Sequence, residues 1–313
     1  MNGLELSLAF YEQHGKPMLE EQFSSLLPFL AVGLLGAGSE CFGYDDAVSQ
    51  DHDFEPAFCI FLPGEEIIDR RSAFLMERAY SRLPRSFMGY DRPLLLPVGG
   101  ARHGVLRTGE FFLRTVGSAD GTLSLHDWLT VPEQALAEAT NGKLFFDHYG
   151  EVSQIRKKLE YFPEDIVLKR IAGQLLLMAQ SGQYNYGRCL AHGEPGAAQL
   201  AAVEFVKSCM SVIFLLNRRY QPYYKWSFRA LRELSAHSQL AEPLLYLITS
   251  DNSSHQTDKK AELIEDISND IVTALKDQNL SSVSSSDLER HAYSVNDRIK
   301  DPTLRNMHIL AAI

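Results

Sequence analysis

Gly36-Ala37-Gly38-Ser39-Glu40-Cys41-Phe42-Gly43-Tyr44-Asp45-Asp46-Ala47-Val48-Ser49-Gln50-Asp51-His52-Asp53 carries the strongest signal in the chain. An apolar lead-in, Phe29 to Leu35, runs into a Gly-Ser turn, and two aspartates one residue apart open the next apolar run. Gly36 and Gly38 permit close backbone approach, and Ser39 offers a hydroxyl and an N–H to a phosphate oxygen. A helix starting near Ser39 would add its own free N–H groups. On a strand, Asp51 and Asp53 project from one face, with His52, read as structural, on the other. Paired carboxylates repel unless a cation lies between them, and Mg²⁺ takes such oxygens together with substrate phosphates. Gly-x-Gly-Ser alone, or Asp-x-Asp alone, is more often a turn or a solvated edge. Together, flanked by apolar runs, they point to a metal-nucleotide site. The glycine spacing is not that of a dinucleotide-binding fingerprint, and no Gly-Lys-Ser/Thr of a P-loop occurs.

Around this stretch the first 130 residues mix strands and helices. Short helices are expected at residues 4–14, broken by His14-Gly15-Lys16-Pro17, and from Leu19 to Leu27. Phe29 to Leu35 reads as a strand or a helix end. Ala57 to Leu62, Leu94 to Val98 and Gly104 to Leu106 read as strands, with Gly99-Gly100 as a turn. Ile67 to Leu83 and Glu110 to Val116 have helical spacing. From Val131 onward the pattern becomes helical: helices are expected through Ala139, from Val152, from Pro163, from Ala197 to Leu216, from Trp226, from Ala241, around Leu263 to Leu275 and near Leu288. Asp251 to Lys260 is polar and reads as an exposed loop. The expected architecture is α+β: an α/β domain over 1–130, with a small mixed sheet flanked by helices, then an α-helical bundle domain over 131–313.

The bulk numbers fit this layout. The 313 residues are 45% hydrophobic and 22% charged, ordinary for a globular protein of one or two domains. The apolar runs at Leu26–Leu35 and Met210–Leu216 are too short to cross a bilayer, and neither end shows a basic segment ahead of an apolar core. Four scattered cysteines, Cys41, Cys59, Cys189 and Cys209, read as free thiols, and a cytoplasmic location is expected. A net charge of −10 argues against general nucleic-acid binding.

Gly38-Ser39 followed by Asp51-His52-Asp53 resembles the signature of the nucleotidyltransferase superfamily related to DNA polymerase β. A narrower resemblance, to a bacterial family of nucleotidyltransferase-like proteins catalogued as a domain of unknown function, runs along nearly the whole chain. It is carried by Gly38-Ser39-Glu40, Gly43-Tyr44-Asp45, Ser49 to Asp53, His103-Gly104-Val105, Trp128-Leu129, Pro132-Glu133-Gln134, Tyr186-Gly187-Arg188, Asn217 to Tyr220, Pro222 to Trp226 and His291 to Val295. The resemblance implies that Asp51 and Asp53 bind Mg²⁺ and that Gly38 and Ser39 contact the triphosphate of a nucleotide, with ATP as the expected one. The reaction would be attack of a hydroxyl, on an unknown small-molecule or protein acceptor, on the α-phosphate. Superfamily members add a third carboxylate on a later strand. Residues 104–107 offer none, which leaves Glu110 and Asp147 as candidates, with Asp147 the one assigned. A nucleotide-binding regulatory module with a degraded catalytic site is the alternative.

Asn217-Arg218-Arg219-Tyr220-Gln221-Pro222-Tyr223-Tyr224-Lys225-Trp226 is the other dense stretch. Its cations and aromatics either clamp a phosphate and stack a base, or cap a helix and pack between helices. Lys225 resembles the lysine that helical domains of antibiotic nucleotidyltransferases bring to the phosphates. Arg188 is a further candidate nucleotide contact.

Overall fold

The computed structural model describes residues 1–46, 48, 54–92 and 102–313. The expected strand at Leu94–Val98, the turn at Gly99-Gly100 and the carboxylates Asp51 and Asp53 lie outside the described residues. The fold is α+β, with a small mixed sheet flanked by helices. The chain divides into two compact units, Met1–Asp127 with Val131–Glu160, and Trp128–Thr130 with Tyr161–Ile313.

The first unit opens with α1 (Gly3–Phe10), capped by Asn2, and α2 (Lys16–Gln22). The helix break expected at His14–Pro17 is instead a π turn, Tyr11–Gly15, joining the two. A wide turn absorbs helix-disfavouring residues without ending the helix. Gly15 is required there for packing, because a Cβ would lie 2.3 Å from the Phe58 ring. β1 (Ala31–Leu34) settles the ambiguous run as a strand; α3 (Ser39–Phe42), β2 (Cys59–Leu62) and α4 (Arg70–Ser81) follow. A two-stranded ribbon, β3 (Ser86–Phe87) with β4 (Tyr90–Asp91), precedes β5 (Gly104–Arg107) and α5 (Thr108–Val116). After α6 (Leu125–Thr130) and α7 (Glu133–Thr140), β6 (Lys143–Asp147) returns to the sheet, and α8 (Glu151–Lys158) closes the unit.

The sheet order is β5-β2-β1-β6. β1 is antiparallel to both β2 and β6, and β2 is parallel to β5. All residues of β1 and β2 are buried, which is why both read as continuous apolar runs and not as alternation. Ile60 and Leu62 join Phe10, Met76 and Tyr80 in the core on one face, while Phe61 packs edge-on against Phe111 of α5 on the other. Tyr80 locks α4 to the sheet: its hydroxyl donates to Phe58 O (2.8 Å) and accepts from Phe58 N–H (3.1 Å).

The second unit is helical. α9 (Glu164–Met178) runs through a π turn, Ala179–Tyr186, into α10 (Gly187–Ala191), followed by α11 (Pro195–Leu216), α12 (Tyr224–Arg232) and α13 (Ala241–Thr249). α14 (Ser254–Asp277), α15 (Leu288–Asn296) and α16 (Pro302–Asn306) complete it. α11 has the length and composition of a membrane span, yet most of its apolar window is buried inside the unit, as in a core helix. The loop expected over Asp251–Lys260 is corrected: α14 already begins at Ser254 and Lys260 is fully buried. Its Nζ donates to Gln199 Oε1 (2.8 Å), Asn252 Oδ1 (2.9 Å) and Ser250 O (3.2 Å). Three acceptors satisfy an ammonium that polar composition had suggested was solvated.

Candidate functional site

Strand directions bring three loops to one end of the sheet. β1 runs toward Leu34, and its antiparallel partner β2 begins nearby, with Gly33 opposite Cys59. β5 is parallel to β2 and begins level with it, with Gly104 opposite Cys59. The turn after β1 (Gly36–Ser39), the approach to β2 (from Phe54) and the approach to β5 (Arg102, His103) therefore meet. Asp51-His52-Asp53 immediately precedes Phe54 in the chain.

The turn is held from outside its own sequence. Gly36 (φ 109°) is bracketed by the Asn141 amide, whose Oδ1 accepts from Gly36 N–H (3.0 Å) and whose Nδ2 donates to Gly36 O (2.8 Å). Gly38 has φ 130°, and Ser39 opens α3, which ends after one turn at Gly43 in the left-handed region. So short a helix makes little of the N-terminal attraction foreseen for Ser39. The close approach foreseen for Gly38 is present, but to protein groups. A Cβ there would fall 2.2 Å from Arg102 Nη2 and 2.3 Å from Glu40 Oε1. Arg102 Nη2 donates to Ala37 O (2.5 Å) and to Glu40 Oε1 (2.7 Å).

Beside this pair, His103 Nδ1 lies 2.8 Å from Glu55 Oε1, with the imidazole nearly buried. Asp45 Oδ2 accepts from Gly3 N–H (2.8 Å), and its Oδ1 is buried with no hydrogen-bond partner among the described residues. Below them lie Cys41 and Cys59, whose thiols burial pushes up, that of Cys59 to about 12. Both are therefore neutral thiols and poor nucleophiles at neutral pH. Among the described residues no group of three His, Cys, Asp or Glu side chains forms a metal centre; Asp51 and Asp53 fall outside that set.

Glu40, Asp45, Glu55, Arg102 and His103 are the residues that sequence reasoning left without roles. All lie within the stretches carrying the resemblance or beside them, but nothing local pairs residues 62 positions apart.

Asp147 is elsewhere. It stands opposite Ala31, at the end of β1 away from the turn. Its carboxylate accepts from Gly150 N–H (2.8 Å) and Ser153 N–H (2.7 Å), capping the loop that leads into α8. Glu110 is exposed in the first turn of α5, beyond the far end of β5 from His103. Neither is brought to the Gly36–Ser39 turn.

Arg188 and Lys225 belong to the second unit, and both are exposed. Arg188 stacks over Tyr184 (4.9 Å) and Lys225 Nζ over Trp226 (5.0 Å). Part of the basic-aromatic stretch packs within the second unit. Tyr220 meets Phe162 (4.9 Å) and Tyr161 (5.5 Å), Phe162 meets Trp128, and Arg218 lies over Tyr161. Tyr223 and Tyr224 remain exposed, their rings tilted against each other with centroids 4.1 Å apart.

Residues 128–227 match the model of a domain of unknown function (DUF4037). The matched segment begins at Trp128, takes in β6 and the aromatic cluster, and ends just beyond Lys225. No curated protein and no solved structure matches the chain. The family to which this segment is similar thus carries no function in its own description.

Proposed function

We propose that the Gly36–Ser39 end of the sheet binds the phosphates of a nucleoside triphosphate with Mg²⁺, and that the protein is a nucleotidyltransferase. It would move a nucleoside monophosphate to a hydroxyl of a small molecule or protein. The observation carrying this reading is the convergence of the strand-terminal Gly-Ser turn with the approach to β2, whose sequence holds Asp51 and Asp53. Asp51 and Asp53 would hold the metal. The Asp45 carboxylate at the same end is a hard oxygen donor, and its buried Oδ1, without a hydrogen-bond partner among the described residues, fits a cationic neighbour. When bound, the ion would stabilise the entering and leaving oxygens of an in-line displacement. Ser39 would contact a phosphate oxygen; Arg188 and Lys225, exposed on the second unit, are proposed as nucleotide contacts in their own right. A second reading, nucleotide binding without transfer, is favoured by Asp147, whose carboxylate is engaged in capping.

ATP with Mg²⁺ is expected to raise the melting temperature, and the double substitution Asp51→Asn, Asp53→Asn to abolish the shift. No shift at millimolar nucleotide refutes both readings. A shift without pyrophosphate release, across a panel of hydroxyl acceptors, selects the second.

A further inference from the structure

The Arg102–Glu40 pair occupies the space over the Gly-Ser turn. The guanidinium lies across Ala37 O and reaches Glu40 Oε1, and both side chains fill the volume that a Gly38 side chain would otherwise take. The pair is lopsided in exposure: the Glu40 side chain is 9% exposed and that of Arg102 is 33% exposed. A carboxylate held inside and a planar cation open to solvent make an anion-recognising arrangement with its own anion already in place.

A guanidinium fork fits a phosphate as well as it fits a carboxylate. A polyphosphate lying along Gly38 and Ser39 would compete with Glu40 for the same cation, and two anions cannot share it without repulsion. We propose that Arg102 is the residue that recognises the polyphosphate chain, and that Glu40 is an internal competitor holding it over the turn. Binding exchanges the Glu40 contact for phosphate contacts, so the strength of the Glu40 contact is subtracted from what Arg102 contributes to affinity. The ligand class rests on the nucleotide reading above; the competition between Glu40 and an external anion is the new element.

The test uses the full chain with two probes, inorganic tripolyphosphate and ATP with Mg²⁺, titrated calorimetrically into wild type, Glu40→Gln, Arg102→Gln and Arg102→Lys. The melting temperature of each unliganded variant is recorded beside it. Arg102→Gln is expected to weaken binding about ten-fold or more, and Arg102→Lys by less, since charge is kept and the fork lost. Glu40→Gln is expected to tighten binding of both probes several-fold. A mere structural brace would move the Arg102 and Glu40 variants in the same direction, and that result overturns the proposal. So does unchanged affinity in Arg102→Gln when wild type binds. If Arg102→Gln does not fold, Glu40→Gln alone decides, and unchanged or weaker binding refutes the competition. Failure of wild type to bind either probe overturns the nucleotide reading itself.

Discussion

Replacing Asn141 with alanine tests how the turn is built. The Asn141 amide pairs with Gly36 as a neighbouring strand would, accepting one hydrogen bond from the Gly36 N–H and donating one from its side-chain N–H to the Gly36 carbonyl, at 3.0 and 2.8 Å. Each such bond contributes about 1 kcal/mol net, and more where a part-buried group is left without a partner. Losing both costs about 2–3 kcal/mol. Asn141's own backbone contacts, from its N–H to Ala137 O and from Arg156 to its carbonyl, survive the substitution. In a unit of roughly 150 residues this lowers the melting temperature by about 5–10 °C. Asn141→Asp sharpens the test. The acceptor for Gly36 N–H remains, but a carboxylate oxygen now faces the Gly36 carbonyl, so aspartate is expected to be no better than alanine at neutral pH. Both tryptophans, Trp128 and Trp226, lie in the second unit. Their emission therefore reports that unit, whereas far-UV circular dichroism reports both. The expected result is a lower midpoint in the dichroism melt with little change in the emission melt. A shift below about 2 °C for alanine, or wild-type stability for aspartate, would show that the turn does not depend on this bracket.

Three further outcomes follow from the same structure. Asp147→Ala removes the acceptor for Gly150 and Ser153, and is expected to cost about 1 kcal/mol in a urea melt while leaving the ATP affinity at its wild-type value; a selective loss of affinity would restore Asp147 to the site. Lys260→Met removes the ammonium donor from Gln199 Oε1, Asn252 Oδ1 and Ser250 O, leaving the first two only Asn252 Nδ2 and the Tyr186 hydroxyl, and is expected to destabilise by about 1–3 kcal/mol; a neutral effect would mean the residue is solvated. Tyr80, buried against Phe58, has its hydroxyl pushed up by desolvation from the usual 10.0. The unfolded chain ionises there first, so Tyr80's contribution is intact below about pH 10 and is lost as pH rises through its higher folded value. Tyr80→Phe is expected to cost about 1–2 kcal/mol at neutral pH and to flatten that alkaline fall, and an unchanged alkaline slope would contradict it.

Much of the fold is legible locally. The apolar runs at Ala57–Leu62 and Gly104–Leu106 became β2 and β5; β2, buried at every position, needs apolar side chains throughout, while β5 at the sheet edge is half-buried. Helical spacing located α4, α9, α11 and the middle of α14. The glycines at 36 and 38 marked a turn of positive φ, and the structure has it. Where reading along the chain went astray, a distant group intervened. Lys260 sits in a polar stretch, but acceptors from Gln199 and Asn252 meet it, and a satisfied ammonium is buried whatever its neighbours in sequence. The π turns at Tyr11–Gly15 and Ala179–Tyr186 keep helices continuous where composition signals breaks.

By itself, then, the sequence determined β2, β5, most of the helices and the Gly-Ser turn, since hydrophobic period, capping residues and glycine conformations act over a few residues. Only the tertiary structure decided that Lys143–Asp147 joins the sheet beside β1, that this puts Asp147 at the wrong end for the turn, and that Arg102, Glu40 and Asn141 converge on Gly36 and Gly38. Strand register and the direction of each β-connection fix those meetings across 62 to 105 residues, and no local pattern encodes which loop ends come to lie on the same edge of a sheet.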